Sequence, residues 1–548
     1  MAFSLASPDA GRDDVSEYED GATALHTAAY DGDVKIIRQL IDQGDDVDAP
    51  DQNGNRPLHF AGANNHAAAA ELLLDRGAAI GAQSEGGRTA LHDAAQVGAC
   101  EVIRKLLERG AAVDATDKTG SSPLHFAALN NHAAALELLL DRSATVGAQT
   151  ALGRTALHDA AANGACDAIR KLIERAAAVD ATDQNGYSPL HYAATNNHAT
   201  ALDLLLDSGA TMDAQDALGR TALHDAAIAG ACDAIRKLIE RATAVGAPDQ
   251  NGRSPLHYAA ANNRAAAAAL LLESGAAAHA QDEEGWTALH DAADAGACDT
   301  LRTLIDRGAA VDSRNNAGRT PLHMAVCSNQ ATAVVLLLEA VTQLDAADAN
   351  GRAALHDAAA NGNREIIAKL VAKGAGLNVV DGCGRTPLQT AISSDRDYAA
   401  QALLDAGASV ASQDEDGQTA LHLAAANGCC TLRWLISNGS AVDATDKQGR
   451  TPLHAAAEKD RGAVALLLVE KGADPTTKDH AGTTPVDVAQ RAGHRELAAR
   501  LRALAAEQAR AAEAGRRIRE AESAAKKAHE EAAKWKRKAE ELEARRSR

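Results

Sequence analysis

Within TALHDAAANGAC, residues 155–166, stand His158, Asp159, Asn163 and Cys166. A thiol beside an imidazole, with a carboxylate or amide to orient the ring, is the composition of a nucleophilic active site. The base removes the thiol proton and the third group fixes the tautomer. Thiolate and imidazole are also the ligands zinc prefers. Either chemistry requires one asymmetric constellation, and a catalytic one also needs a pocket and a group that stabilises developing charge.

The same set returns as His92/Asp93/Cys100, His224/Asp225/Cys232 and His290/Asp291/Cys298, always 66 residues on. Constant recurrence argues for packing, with cysteine serving as a small hydrophobe. Helices stacked about 8–10 Å apart put equivalent cysteines two units apart roughly 20 Å from one another, far beyond the ~2.3 Å bond to zinc. Cys429 and Cys430 are adjacent but lack further clustered ligands, and no GxxxxGK[ST] or HExxH motif occurs. The sequence therefore predicts no catalytic residue, no cofactor and no metal site.

The elements carrying these residues are copies of one another. TALH at 155 recurs as TALH at 23, 89, 221, 287 and 419, as SPLH at 122, 188 and 254, and as TPLH at 320 and 451. Weaker copies are RPLH at 56, AALH at 353, TPLQ at 386 and TPVD at 484. The fifteen copies keep a period of 33 except for one step of 32, before His454, which places a deletion near CCTLRW in the second helix of that unit. Five residues before each motif histidine stands glycine, as at Gly120, Gly153 and Gly186, suiting a turn with positive φ. Three before it, Ser or Thr occupies all copies but those with Arg56 and Ala353, the expected helix N-cap. Even copies add Pro at the first helical position, as at Pro57 and Pro123. Six after it, odd copies carry Gly (Gly98, Gly164) and even copies Asn or Asp (Asn131, Asp395), residues that tolerate the left-handed end of a helix. A second helix follows, as at 166–176, where Asp167 and Lys171 are spaced as i,i+4 partners. The larger unit is a pair of 66 residues.

A period of 33 with G-x-T-P-L-H-x-A-A, an L-L-L stretch and G-A-x-V-D-A resembles the ankyrin repeat. The resemblance covers about fifteen units over 18–503 and implies an all-α solenoid of helix-turn-helix units with β-turn fingers. It also implies that the motif histidine bonds to backbone of the turn region. Fingers and inner helices are the usual contact surface of the family. Two ladders fall there. One residue after the histidine the copies alternate Phe60, Asp93, Phe126, Asp159, Tyr192, Asp225, Tyr258, Asp291. After the finger glycine come Arg220, Arg253 and Arg319 among other arginines, with Tyr187 and Trp286 interspersed. These are the candidate partner-binding residues; packing between neighbouring helices and solvated turn charges are the alternatives.

The chain of 548 residues is too long for one core and carries a formal charge of −20 with 2% aromatics. From Leu501 onward fourteen Lys/Arg face nine Asp/Glu, so the acidity lies in the array. An acidic body argues against broad nucleic-acid binding. The first twenty residues have no basic-then-apolar leader pattern, no run is long enough to span a membrane, and eight cysteines form no disulfide framework. A cytoplasmic protein is expected, with the nucleus as the alternative. Three segments follow: a flexible acidic 1–17, the array 18–503, and a charged, Ala-rich helix 504–548. In the last, a heptad runs through Leu504, Ala511, Ile518 and Ala525 at one position and Ala514, Ala521, Trp535 and Leu542 at the other. The expected function is a non-enzymatic scaffold or adaptor for protein partners, self-associating through the tail; recruitment to nucleic acid or membrane by the basic tail is the alternative.

Overall fold

Thr155 holds extended backbone at ψ 166°, and the helix Ala156–Ala162 begins immediately after it. The helix stops at Asn163, and Gly164 reverses the chain at φ 64°. The second helix, Cys166–Glu174, then runs back, and a finger leads into the next copy. The computed structural model describes residues 21–428 and 430–547, so the acidic segment expected at 1–17 and Cys429 lie outside the described residues. Among the described residues there are thirty helices and no strand, only an isolated antiparallel bridge between Gln413 and Thr419.

The chain divides into two compact units, Met1–Ala310 and Val311–Arg548. The first carries the helices from Ala24–Asp31 to Cys298–Asp306, and the second those from Pro321–Cys327 to Arg495–Arg546. Within each, the core is a thin layer between first and second helices. Leu157, Ala160, Ala161, Ala168, Ile169 and Leu172 are almost wholly buried. Alanine at two successive inner positions lets neighbouring first helices approach closely, while the leucines fill the space towards the second helix. The second helix in the shortened copy, Thr431–Ser437, has seven residues where Cys298–Asp306 has nine, which is where the 32-residue step loses its residue.

The alternation of Gly with Asn has a packing cause. At Gly164 an added Cβ would lie 2.6 Å from the ring of His198 in the following copy. The Nε2 of His198 donates to the Ala162 carbonyl at 3.1 Å, satisfying an otherwise open helix end. His132 does the same for Gln96, and Arg264 for Ile228. In even copies the left-handed residue works forward. Asn131, at φ 58°, accepts through Oδ1 from the backbone N–H groups of Asp167 and Ala168 at 3.1 and 3.0 Å. It thereby caps the helix Cys166–Glu174, whose own N-cap position is Ala165. Asn197 caps Cys232–Glu240 in the same way.

One sequence expectation is not met. Asp167 pairs with Arg170 at 2.8 Å, while Lys171 reaches Glu174 at 3.0 Å and Glu137 of the preceding copy at 3.7 Å. The guanidinium fork spans i,i+3, and the two glutamates flanking Lys171 take its ammonium elsewhere.

The tail is a continuation of the last second helix. Arg495–Arg546 runs without interruption through position 504, burying Leu497, Ala498 and Leu501 at its start. Ile518, Trp535 and Leu542 on its far part are exposed.

Candidate binding face

Most fingers are built around an aspartate, with Ser84, Thr150 and Asn315 taking its place in three of them. Asp183 Oδ1 accepts from the backbone N–H groups of Asn185 and Tyr187 at 2.8 and 3.0 Å, and its own N–H bonds to the Tyr187 carbonyl. Gly186 closes the turn at φ 83°. Successive fingers are tied edge to edge: Gln184 N–H donates to the Leu152 carbonyl and Ala217 N–H to that of Asn185.

The motif histidines fasten fingers to helices. His158 Nδ1 accepts the Thr155 backbone N–H at 3.0 Å, so the ring carries its proton on Nε2 and donates it to the Tyr187 carbonyl of the next finger at 3.0 Å. His92 makes the equivalent bonds to Thr89 and Ser121. Burial disfavours the imidazolium and holds both rings down at about 4. Asp159 bonds to Arg154, and no hydrogen bond joins His158 to Asp159 or Cys166 among the described contacts. His158 and Asp159 thus serve two separate structural tasks. Nor do three or more His, Cys, Asp or Glu among the described residues form a group able to hold a metal ion.

The two candidate ladders meet each other. Arg88, Arg154 and Arg253 form ion pairs with Asp93, Asp159 and Asp291. The same guanidinium groups lie over Phe126 at 4.7 Å, Tyr192 at 4.8 Å and Tyr258 at 5.0 Å. Arg220 takes Asp216 at 2.8 Å and Tyr187, with Asp225 at 4.0 Å. The hydroxyls of Tyr192 and Tyr258 donate to the finger aspartates Asp183 and Asp249 at 2.8 and 2.6 Å. Phe60, Phe126, Tyr192 and Tyr258 are half-buried, each with its ring edge-on to a motif histidine 5.4–5.8 Å away. Asp159, Asp225 and Asp291 are buried and Asp93 nearly so. Burial pushes the carboxyls of Asp225 and Asp291 up to about 7 against the pull of their arginines. In the second unit Arg319 is half-buried with Asp348 at 3.6 Å.

Arg88, Arg154, Arg220 and Arg253 are therefore folded down from their fingers onto the first helices. The outermost side chains are those before the glycine, among them Leu152 and Leu218, 61% and 52% exposed. These two leucines belong to neither ladder, although a leucine between an alanine and the turn glycine cannot reach the helical core.

The family model for ankyrin repeats (3 copies) matches in windows that run from 2–84 and 91–183 through to 431–512. The crystal structure of the human ASB11 ankyrin repeat domain is 30% identical, the alignment covering 41% of this chain and 99% of that one at a TM-score of 0.37. Among curated proteins none matches. No helix among the described residues is long and apolar enough to cross a membrane. With family-model windows along nearly its whole length, this chain belongs to the ankyrin-repeat family.

Proposed function

We propose that the protein is a non-enzymatic scaffold that holds protein partners against its fingers and first helices. Ankyrin repeats are generally protein–protein interaction modules. The observation that carries the reading is the composition of this face. Half-buried Arg, Tyr and Trp side chains are held rigidly by ion pairs and ring contacts, beneath exposed Leu152 and Leu218. Aromatic and guanidinium groups already immobilised lose little entropy on binding and are enriched at interface centres. The tail serves self-association in this reading, because Ile518, Trp535 and Leu542 fall on one heptad seam and are all exposed.

The test is an affinity measurement on a captured, identified partner. Leu152→Ser with Leu218→Ser removes exposed apolar contacts at no packing cost, and Arg220→Lys keeps a charge beside Asp216 while losing the planar stack. Affinity at least tenfold lower, with unchanged helicity and melting, supports the reading. Undiminished capture by the combined variant refutes it. Light scattering with and without 504–548 reads the self-association. A second reading, recruitment to nucleic acid or an anionic membrane, is favoured by the tail sequence from Lys534 to Lys538, where Trp535 is 69% exposed. Binding that falls steeply with salt and vanishes on deleting 504–548 would select it.

A further inference from the structure

In four of the eight odd copies an arginine follows the finger glycine and faces the aspartate of its own first helix, as Arg88 with Asp93, Arg154 with Asp159 and Arg352 with Asp357. In the ninth copy Trp286 stands at that position, and Asp291 is held instead by Arg253 of the preceding copy. Beside the exchange lies a cavity of about 540 Å³ whose lining includes Arg253, Asp282, Glu284, Trp286, Asp291 and Asp294. Four carboxylates and one guanidinium meet there against an indole wall. Asp291 is only 5% exposed, yet its Oδ2 has no hydrogen-bond partner, the other oxygen being taken by Arg253. A buried carboxylate oxygen left unpaired beside a cavity is an acceptor without a donor. Burial, with Asp282 and Asp294 adding their repulsion, pushes the Asp291 carboxyl up to about 7, so a further cation would relieve the site.

We propose that this cavity takes the side chain of an arginine from an extended basic segment of a partner protein, stacked on Trp286 and bonded to Asp291 and its neighbouring carboxylates. The inference rests on the scaffold reading and supplies the chemistry of the partner. Arginine fits better than lysine, because its planar fork can lie on an indole while donating to carboxylates on either side. An anionic or purely apolar side chain would leave the excess negative charge uncompensated. The chain's formal charge of −20 draws a basic segment towards it.

The probe is the pentapeptide acetyl-Gly-Ser-Arg-Ser-Gly-amide, with its citrulline counterpart as the neutral isostere. Binding to the full chain is read by saturation-transfer-difference NMR. Saturable transfer strongest at the arginine methylenes, and affinity roughly tenfold or more lower for citrulline, is expected from a stacked, charge-assisted contact. Trp286→Arg restores the residue that neighbouring copies carry and so preserves the fold. It should abolish the signal, and Asp291→Asn should lower affinity about tenfold. Equal transfer to both peptides, no saturable transfer, or wild-type binding by W286R overturns the proposal. Failure here leaves the scaffold reading intact if partner capture still falls on Leu152→Ser with Leu218→Ser. Probe binding alongside capture indifferent to those changes refutes the scaffold reading alone.

Discussion

Replacing His92 and His158 by glutamine should leave the array as stable at neutral pH and make it more resistant to acid. In the folded chain these rings are neutral, their pKa values held down at about 4 against the ordinary 6.5. Below pH 6.5 the unfolded chain takes up protons that the folded rings refuse, so stability falls through the window from 6.5 to 4 and levels off beneath it. At pH 5 the loss is about 2 kcal/mol per ring, approaching about 3 kcal/mol at pH 4. The protein itself contains the control. In the twelfth copy Gln389 replaces histidine, accepting the Thr386 N–H through Oε1 at 2.8 Å and donating through Nε2 to the Gln418 carbonyl at 2.8 Å. The amide reproduces both bonds and has no proton to gain. Asp225 and Asp291 act in the opposite sense: with folded values near 7, they gain protons more readily when folded and favour the folded state as pH falls from 7 towards 4. A raw acid melt therefore mixes the two effects, and the informative quantity is the difference between variant and wild type. Long arrays lose two-state behaviour, so the assay is hydrogen exchange on peptides spanning 89–125 and 155–191 at pH 7 and pH 5. Protection should be equal at pH 7 after correction for intrinsic rates, and higher in the variant at pH 5 by about 2 kcal/mol per site. Equal acid loss in both proteins would refute the assignment of the histidines as neutral staples.

Gly164→Ala should destabilise its repeat by about 2–3 kcal/mol, combining left-handed strain with a clash that displaces His198 from the Ala162 carbonyl; urea melts of the two proteins check it. Asn131→Gly keeps the left-handed backbone and removes only the cap on the next second helix, costing about 1 kcal/mol. Asn131→Ala adds strain and should cost about 2–3 kcal/mol; no loss for Asn131→Gly would mean that the cap contributes nothing, and equal losses for the two that the strain contributes nothing.

The fold was legible because the residues that set it are local and repeated. Glycine at positive φ, Ser or Thr before the helix, and Gly or Asn after it each act within a few residues, and all fifteen finger glycines adopt positive φ. What the sequence could not show was where polar side chains go once copies stack. Arg154 looks like a solvated turn charge in one dimension, yet it lies between Asp159 and Tyr192 from two different copies. His198 gave no signal either, since its partner, the Ala162 carbonyl, is a backbone atom 36 residues away. Asp167 and Lys171 were paired on spacing alone, and competition from Arg170, Glu174 and Glu137 undid the pairing.

The 66-residue pair is the smallest unit in which these cross-copy debts cancel. An odd copy needs a donor for the end of its first helix and an acceptor for the start of its second. The following even copy provides the first through His198, and the preceding one provides the second through Asn131. Two identical copies could not do this, because glycine at the left-handed position leaves room for a neighbouring side chain but supplies no oxygen, while asparagine supplies the oxygen and fills the room. Once the pair satisfies itself, a departure from it leaves something over. Trp286 is such a departure: an indole stands where its counterparts carry an arginine, and Asp291 pairs with Arg253 of the preceding copy, its Oδ2 unpartnered as in Asp225 and Asp357. In a repeat array this regular, the place where an indole replaces the local arginine is the place where an outside guanidinium finds both a face to stack on and carboxylates to bond.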